Sequence, residues 1–181
     1  VDGLFLDGLS RNKHIIVYGA SKQGKTSLVN KHLKEDDYVK VNCSTDTDVI
    51  DIYKSIIRQL GIEMLSSYDD TSSMEGSVSG GLKMKFKIPF MIECESSGEV
   101  KGGKSKEHVE NYKTVEYNLA LAQDISELLK ALKFKKRIVL ENFHYLQDDV
   151  QRRLAVDLRI FEDYNILFII LGIWRERNRL S

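Results

Sequence analysis

The sequence predicts a three-layer α/β/α domain built on a mainly parallel β-sheet. Short apolar segments of strand length alternate with segments whose apolar residues recur at helical spacing, the pattern of strand–helix–strand units. The run 166–173 is apolar throughout, as expected of a strand that is buried on both faces of a parallel sheet. With 181 residues, 42% of them hydrophobic, the chain is long enough for one such domain with a proper core.

The expected order of elements is β-α-β-α-(insertion)-α-β-α-β. The four strands of the sheet are expected at 14–18, 38–43, 137–140 and 166–173. Thr45 or Asp46 is expected to cap the second helix, and Asp148 the last one. A right-handed, doubly wound order of this kind places ligand chemistry at the carboxyl ends of the strands.

The segment that follows the first strand fits the pattern G-x-x-x-x-G-K-[ST] of a phosphate-binding loop. Gly19 and Gly24 allow a tight turn in which successive N–H groups point inward at a triphosphate, and the helix that begins near Gly24 adds its positive dipole end. Lys25 can reach the β- and γ-phosphates, and the Thr26 hydroxyl can ligate Mg²⁺. The predicted nucleotide-binding residues are Gly19, Ala20, Ser21, Lys22, Gln23, Gly24, Lys25, Thr26 and Ser27.

The second half of the site is expected at the end of the third strand. A loop that hydrolyses nucleotide needs an acidic group near Mg²⁺ and a residue that orients the attacking water. The apolar run 138–140 is followed by Glu141, which is the Walker B arrangement, so Glu141 and Thr26 are the expected Mg²⁺ ligands. A second strand and a second helix lie between the two motifs, which suits the P-loop ATPases with an additional strand.

The segment 66–111 has a different composition, dominated by Ser, Gly, Lys and Glu. From 78 to 94, apolar residues alternate with charged ones, which is a two-faced β pattern. Gly and Ser on both sides indicate an insertion within one domain spanning 1–181. We expect an edge strand or hairpin that packs locally or pairs in an assembly. A membrane-inserting β-segment is disfavoured because no partner strand of matching pattern follows, and disorder is the third alternative.

The composition also restricts the function class. Acidic and basic residues balance at 27 each, so the net charge does not indicate nucleic-acid or anionic-membrane binding. Cys43 and Cys94 have neither metal nor redox spacing and are expected to be small core residues. Lacking a disulfide framework, a signal peptide or a long apolar span, the protein is expected in the cytoplasm, without a membrane span. A start at Val1 and a stop at Ser181 soon after a strong strand indicate a fragment of a longer multidomain protein.

The two motifs together resemble those of the signal-transducing STAND ATPases and of the origin-recognition-type AAA+ ATPases. The resemblance rests on 13–28, where it is strong, and on 137–146, where it is fair. It implies a P-loop NTPase fold that binds ATP or ADP with Mg²⁺ and acts as a switch, with homo-oligomer assembly in the full-length protein. A helical lid and a winged-helix module often follow in the family, and neither fits in this chain.

Two positions depart from the family pattern. The strand of the second motif usually ends in two acidic residues, the second of which activates water. Here the second is Asn142, whose amide can orient a water molecule without accepting its proton, so slow or absent hydrolysis is expected. At the end of the last strand, where many AAA+ proteins have a polar sensor, this chain has 171–173, Leu-Gly-Ile. Resemblance to the signal-transducing class makes Arg175 a γ-phosphate sensor, with Arg177 and Arg179 as alternatives, and all three could equally be solvated.

Four functions remain open at this point. The first is an ATP-binding switch in which Mg·ATP orders the loop, favours assembly and is reset by slow hydrolysis. The others are a DNA-remodelling or loading ATPase, a small-molecule or nucleotide kinase, and a scaffold that binds nucleotide without turnover. The absence of Arg from 66–111 counts against a kinase lid. His144 is expected to be a hydrogen-bonded structural residue or, alternatively, to read the nucleotide state.

Overall fold

The computed structural model describes residues 2–65, 83–90 and 111–173. The helices in these ranges are α1 (Asp2–Ser10), α2 (Lys25–His32), α3 (Val49–Gln59), α4 (Ala122–Ala131) and α5 (Asp148–Asp163). The strands are β1 (Ile15–Tyr18), β2 (Tyr38–Asn42), β3 (Glu63–Leu65), β4 (Lys83–Phe90), β5 (Asn111–Asn118), β6 (Arg137–Glu141) and β7 (Phe168–Gly172). None of the helices described is both long and apolar enough to span a bilayer.

The central sheet has the strand order β1-β7-β6-β2, and all of its pairs are parallel. The last strand along the chain, β7, lies between β1, which leads into the phosphate-loop motif, and β6, which leads into the second motif. This arrangement agrees with the additional-strand topology expected from the spacing of the motifs. The parallel sheet with its helices confirms the predicted fold class.

The inner strands send alternate side chains to opposite faces of the sheet. In β6, Ile138 and Leu140 join the core that contains buried residues of α3, α4 and α5. Val139, between them, packs in a second core with Phe5 of α1 and Val29 of α2. The domain therefore has three layers, with α1 and α2 on one face of the sheet and α3, α4 and α5 on the other.

The strands β3, β4 and β5 form a second, antiparallel sheet with β4 in the centre. Phe86 and Ile88 of β4 are buried, and Lys83 and Lys85, which precede them on the opposite face of the strand, are exposed, as the alternation predicts. Strand β5 pairs with β4 along all of its length, although its sequence does not repeat the alternating pattern of β4. The part of the predicted alternation outside 83–90 lies beyond the described residues.

Some local predictions also need correction. Helix α1 was not predicted, and helix α3 is capped by Asp48 rather than by Thr45 or Asp46. Helix α5 begins at Asp148 itself, with Gln147 as the N-cap residue. Cys43 is buried, as expected of a small core residue, whereas Cys94 lies outside the described residues.

His14 joins the start of β1 to α5 and β7. Its Nδ1 accepts a hydrogen bond of 3.0 Å from the Phe168 N–H, and its Nε2 therefore donates to the Leu158 carbonyl at 2.7 Å. These bonds require the neutral imidazole. Burial lowers the pKa of His14 below its usual value of 6.5, although the Glu162 carboxylate opposes this shift.

We expect the free energy of unfolding to fall as the pH drops below about 6.5, because the unfolded chain takes up the His14 proton first. The stabilisation that the neutral His14 side chain contributes is complete above that pH, and it is lost as the pH falls through the lower pKa of His14 in the folded state. Urea unfolding at pH 7.5 and about 5.5 measures it. His14→Gln should show a smaller difference between the two pH values than the wild type, and an equal difference would assign the effect to other groups.

Candidate nucleotide-binding site

The carboxyl ends of β1, β6 and β7 meet at one edge of the central sheet because these strands are parallel. A pocket of about 390 Å³ opens at this edge, a volume within the range of roughly 300–1,000 Å³ that is usual for small-molecule sites. It is lined by Ser21, Lys22, Gln23, Gly24, Lys25, Thr26, Ser27, Glu141, Asn142, His144, Leu171, Gly172 and Ile173. The fold thus brings the two sequence motifs and the end of β7 into one wall.

The loop between β1 and α2 has a backbone suited to an anion. Lys22 and Gly24 have left-handed conformations, with φ of 61° and 71°. Left-handed residues within such a loop turn backbone N–H groups into a concave surface. Helix α2 begins at Lys25, and its N-cap residue Gly24 provides no side-chain hydrogen bond. The N–H groups of the first turn are therefore left for a ligand.

Two side chains of the loop bond to its own backbone. Lys25 Nζ donates to the carbonyls of Gly19 and Ala20 at 3.1 and 2.7 Å. Gln23 Oε1 accepts from the Ala20 N–H at 2.9 Å. A Cβ atom at Gly19 would lie 2.6 Å from Gln23 Oε1, so this closed arrangement needs glycine there. Gly19 and Ala20 thus shape the loop, and the other predicted binding residues line the pocket.

Glu141 is the last residue of β6 and lies in the pocket wall. Its Oε1 atom is buried and has no hydrogen-bond partner among the described residues. An orphaned carboxylate oxygen is costly unless a ligand satisfies it, and oxygen atoms are the ligands that Mg²⁺ prefers. Thr26, in the first turn of α2, lines the same pocket as Glu141, so both side chains border one cavity.

The side chains available as metal ligands fit an ion that binds together with a phosphate chain. Within the described ranges, no group of three or more His, Cys, Asp and Glu side chains could hold a metal alone. One hydroxyl and one carboxylate can supply two positions of an octahedral Mg²⁺ site, and phosphate oxygens and water can supply the remainder. The residues present therefore fit a magnesium ion that is shared with a phosphate chain.

The AAA domain family matches the chain over residues 8–180. The chain belongs to this family of P-loop ATPases. No curated protein and no solved structure matches it. Membership agrees with the strand order of the central sheet and with a pocket in which the loop after β1 faces the end of β6. AAA domains bind nucleotide, and the pocket is the candidate place for it in this AAA domain.

Asn142 follows Glu141 in the wall of this AAA domain's pocket. Its φ of 59° is left-handed, a conformation that Asn and Asp tolerate better than most residues. The residue is exposed and precedes the 3₁₀ turn Phe143–Tyr145, whose Tyr145 N–H donates to the Asn142 carbonyl. An amide side chain thus lies beside the buried carboxylate, at the position where the sequence comparison expected a second acid.

His144 also lines the pocket, and its ring centroid lies 4.2 Å from that of Tyr145. Its position agrees with the alternative interpretation, in which it senses the ligand, as well as with a structural role. Nothing in the sequence distinguished the two, because both need only a histidine that follows the second motif. In the structure the His144 ring forms part of the pocket wall, next to the space that a ligand would occupy.

The described residues at the end of β7, up to Ile173, bring no polar side chain to the pocket. Gly172 allows a close approach, since a Cβ atom there would lie 2.8 Å from the Tyr18 ring, and Ile173 contributes an apolar wall. Arg175, predicted as a γ-phosphate sensor, lies outside the described residues, as do Arg177 and Arg179. Their roles stay predictions, and the described wall at β7 is apolar.

Proposed function

We propose that this AAA domain is an ATP-binding switch of the signal-transducing type, a slow or regulated ATPase that controls assembly or signalling in a larger protein. The observation that supports this most is the combination in one pocket of a complete phosphate loop with Asn142 beside Glu141. A domain that binds a triphosphate and turns it over slowly remains in the bound state long enough to shift a conformational or assembly equilibrium.

The chemistry follows from the side chains of the pocket. Backbone N–H groups of the loop bind the phosphates, and Lys25 exchanges the carbonyls of Gly19 and Ala20 for phosphate oxygens. Thr26 and Glu141 would hold Mg²⁺, which would supply positive charge to the phosphate chain. Asn142 orients the attacking water but cannot take its proton.

A neighbouring groove gives the site a route to the rest of the domain. This groove has a volume of about 630 Å³ and lies between β1 and α5, with Ile16 and Tyr18 in its wall. His144 and Ile173 line both the groove and the nucleotide pocket. A shift of either residue on nucleotide binding would reshape the groove, which is the kind of coupling that a switch requires.

The second candidate function is a scaffold that binds nucleotide without turnover. Asn142 supports it, because no described residue beside Glu141 in the pocket wall can serve as a carboxylate base in its place. Both candidates require nucleotide binding, and the difference between them is the rate of hydrolysis.

Binding is tested by calorimetric titration of the wild type and of Glu141→Gln with ATP, in Mg²⁺ and in EDTA. We expect Mg²⁺ to tighten ATP binding about tenfold in the wild type, and most of this gain to be lost in Glu141→Gln. Glu63→Gln, exposed on β3, is the matched control and should behave as the wild type. An equal Mg²⁺ effect in Glu141→Gln would remove this residue as a ligand. No ATP or ADP affinity below the millimolar range would refute both candidate functions.

The switch itself is tested by sedimentation velocity of the wild type in Mg·ATP and in Mg·ADP. A switch that controls assembly should give a larger sedimentation coefficient in one nucleotide than in the other. Equal coefficients in both nucleotides, with binding established, would contradict the proposed control of assembly and leave a nucleotide-binding domain.

A further inference from the structure

The left-handed residues of the described ranges fall into two groups. Three of them directly follow the C-cap residue of a helix, where a left-handed residue is common: Gly61, Lys133 and Asn165. The other three all line the nucleotide pocket: Lys22, Gly24 and Asn142. Helix termination thus explains one group, and the pocket is what the members of the other group have in common.

Within the pocket group, Lys22 is the residue whose conformation needs an explanation. Gly24 adopts a positive φ without a steric penalty, and Asn142 belongs to a residue type that tolerates it. A lysine in this conformation is destabilised by the steric clash of its Cβ atom with the backbone, and glycine has no Cβ atom. Strained residues cluster at functional sites, and the concave backbone of the loop accounts for this φ whichever side chain is present. The presence of lysine where glycine would be unstrained is therefore the feature to explain.

The surroundings of Lys22 leave its ammonium group available. The residue is exposed, and within the described part of the chain it has neither a hydrogen-bond nor an ion-pair partner. Lys25, by contrast, is bonded to two carbonyls of the loop. Glu141, the carboxylate in the same wall, is the expected metal ligand and not a partner of Lys22. The pocket thus holds one lysine seated on the loop and a second one that is free to move.

We propose that the Lys22 ammonium group binds the terminal phosphate of a nucleoside triphosphate, so that the site distinguishes ATP from ADP. This inference rests on the proposed function and names the residue that reads the nucleotide state. Among the described residues at the end of β7, Gly172 and Ile173 line the pocket and carry no polar side chain that could do so. Asn142 carries no charge. A lysine is a point charge on a long flexible stem, so it can follow a phosphate without movement of the strained backbone.

The test compares the affinities of Mg·ATP and Mg·ADP, measured by calorimetry, in variants that separate charge from backbone strain. Lys22→Gln keeps the strain and removes the charge, and it should lower the ratio of ATP to ADP affinity about tenfold. Lys22→Arg keeps both features and should retain the ratio within about twofold. Lys133→Gln is the matched control, because this lysine has a φ of 54° and lies at the end of α4, away from the pocket.

The Lys22→Gly variant controls for a change in nucleotide affinity that is caused by destabilised folding. Its backbone is relaxed, so a thermal midpoint at or above that of the wild type together with a lowered affinity ratio would support the role of the charge. An unchanged ratio in Lys22→Gln or in Lys22→Gly would overturn the inference while leaving nucleotide binding in place. A wild type that binds neither nucleotide would overturn this inference together with the proposed function.

Discussion

Replacement of Lys25 by alanine should weaken ATP binding at least about a hundredfold while the domain stays folded. A hydrogen bond to a charged group contributes roughly 1.5–3 kcal/mol, and Lys25 is positioned to give more than one to a triphosphate. Without a ligand its ammonium group contacts the carbonyls of Gly19 and Ala20, which lie in an exposed loop and can bond to water instead. The loss should therefore appear in binding and hardly at all in stability.

Calorimetric titration with Mg·ATP measures the affinity, and thermal unfolding measures the stability. Lys31→Ala is the matched control, because Lys31 lies further along the same helix and its ammonium group is 3.2 Å from an Asp2 carboxylate oxygen. We expect this variant to bind ATP within about twofold of the wild type, since such an exposed ion pair contributes little. ATP affinity equal to that of the wild type in Lys25→Ala would contradict phosphate binding by this loop.

The parts of the site that could be predicted are those formed by residues contiguous in the sequence. The loop 19–26 and the end of β6 are recognisable because phosphate and metal chemistry restrict their residue types. Parallel strands then bring these ends to one edge, whatever the length of chain between them. What the sequence did not reveal is conformational. That Lys22 and Asn142 are left-handed, and that Glu141 Oε1 is buried without a partner among the described residues, follows from packing around the loop.

Two elements of the fold were missed for reasons that their residues explain. Helix α1 contains Gly3 and Gly8, which favour other conformations, and a Cβ atom at Gly8 would lie only 3.2 Å from the Ile15 side chain. Strand β5 has little apolar alternation: Val115 and Tyr117 pack against the core, and the side chains of Tyr112, Lys113, Thr114 and Glu116 are exposed. The local sequence pattern is therefore a poor predictor of elements whose structure is determined by tertiary contacts.

Replacement of Asn142 by aspartate should raise the rate of ATP hydrolysis by roughly tenfold to a hundredfold. General base catalysis contributes about 10²–10⁴, and an aspartate in a pocket built around an amide should recover no more than the lower limit of this effect. The substitution preserves the size of the side chain, and aspartate also tolerates the left-handed φ of 59°. The backbone beside Glu141 should therefore remain in place.

Phosphate release at saturating Mg·ATP measures the rate, and a separate titration shows whether the added charge alters binding. Asn165→Asp is a close control for the substitution, because Asn165 has a φ of 57° and follows α5, away from the pocket. Its rate should equal that of the wild type. A faster Asn142→Asp variant would show that the pocket lacks only a base, which favours a switch that is reset slowly. An unchanged rate with ATP bound would place the catalytic position elsewhere and would favour the scaffold without turnover.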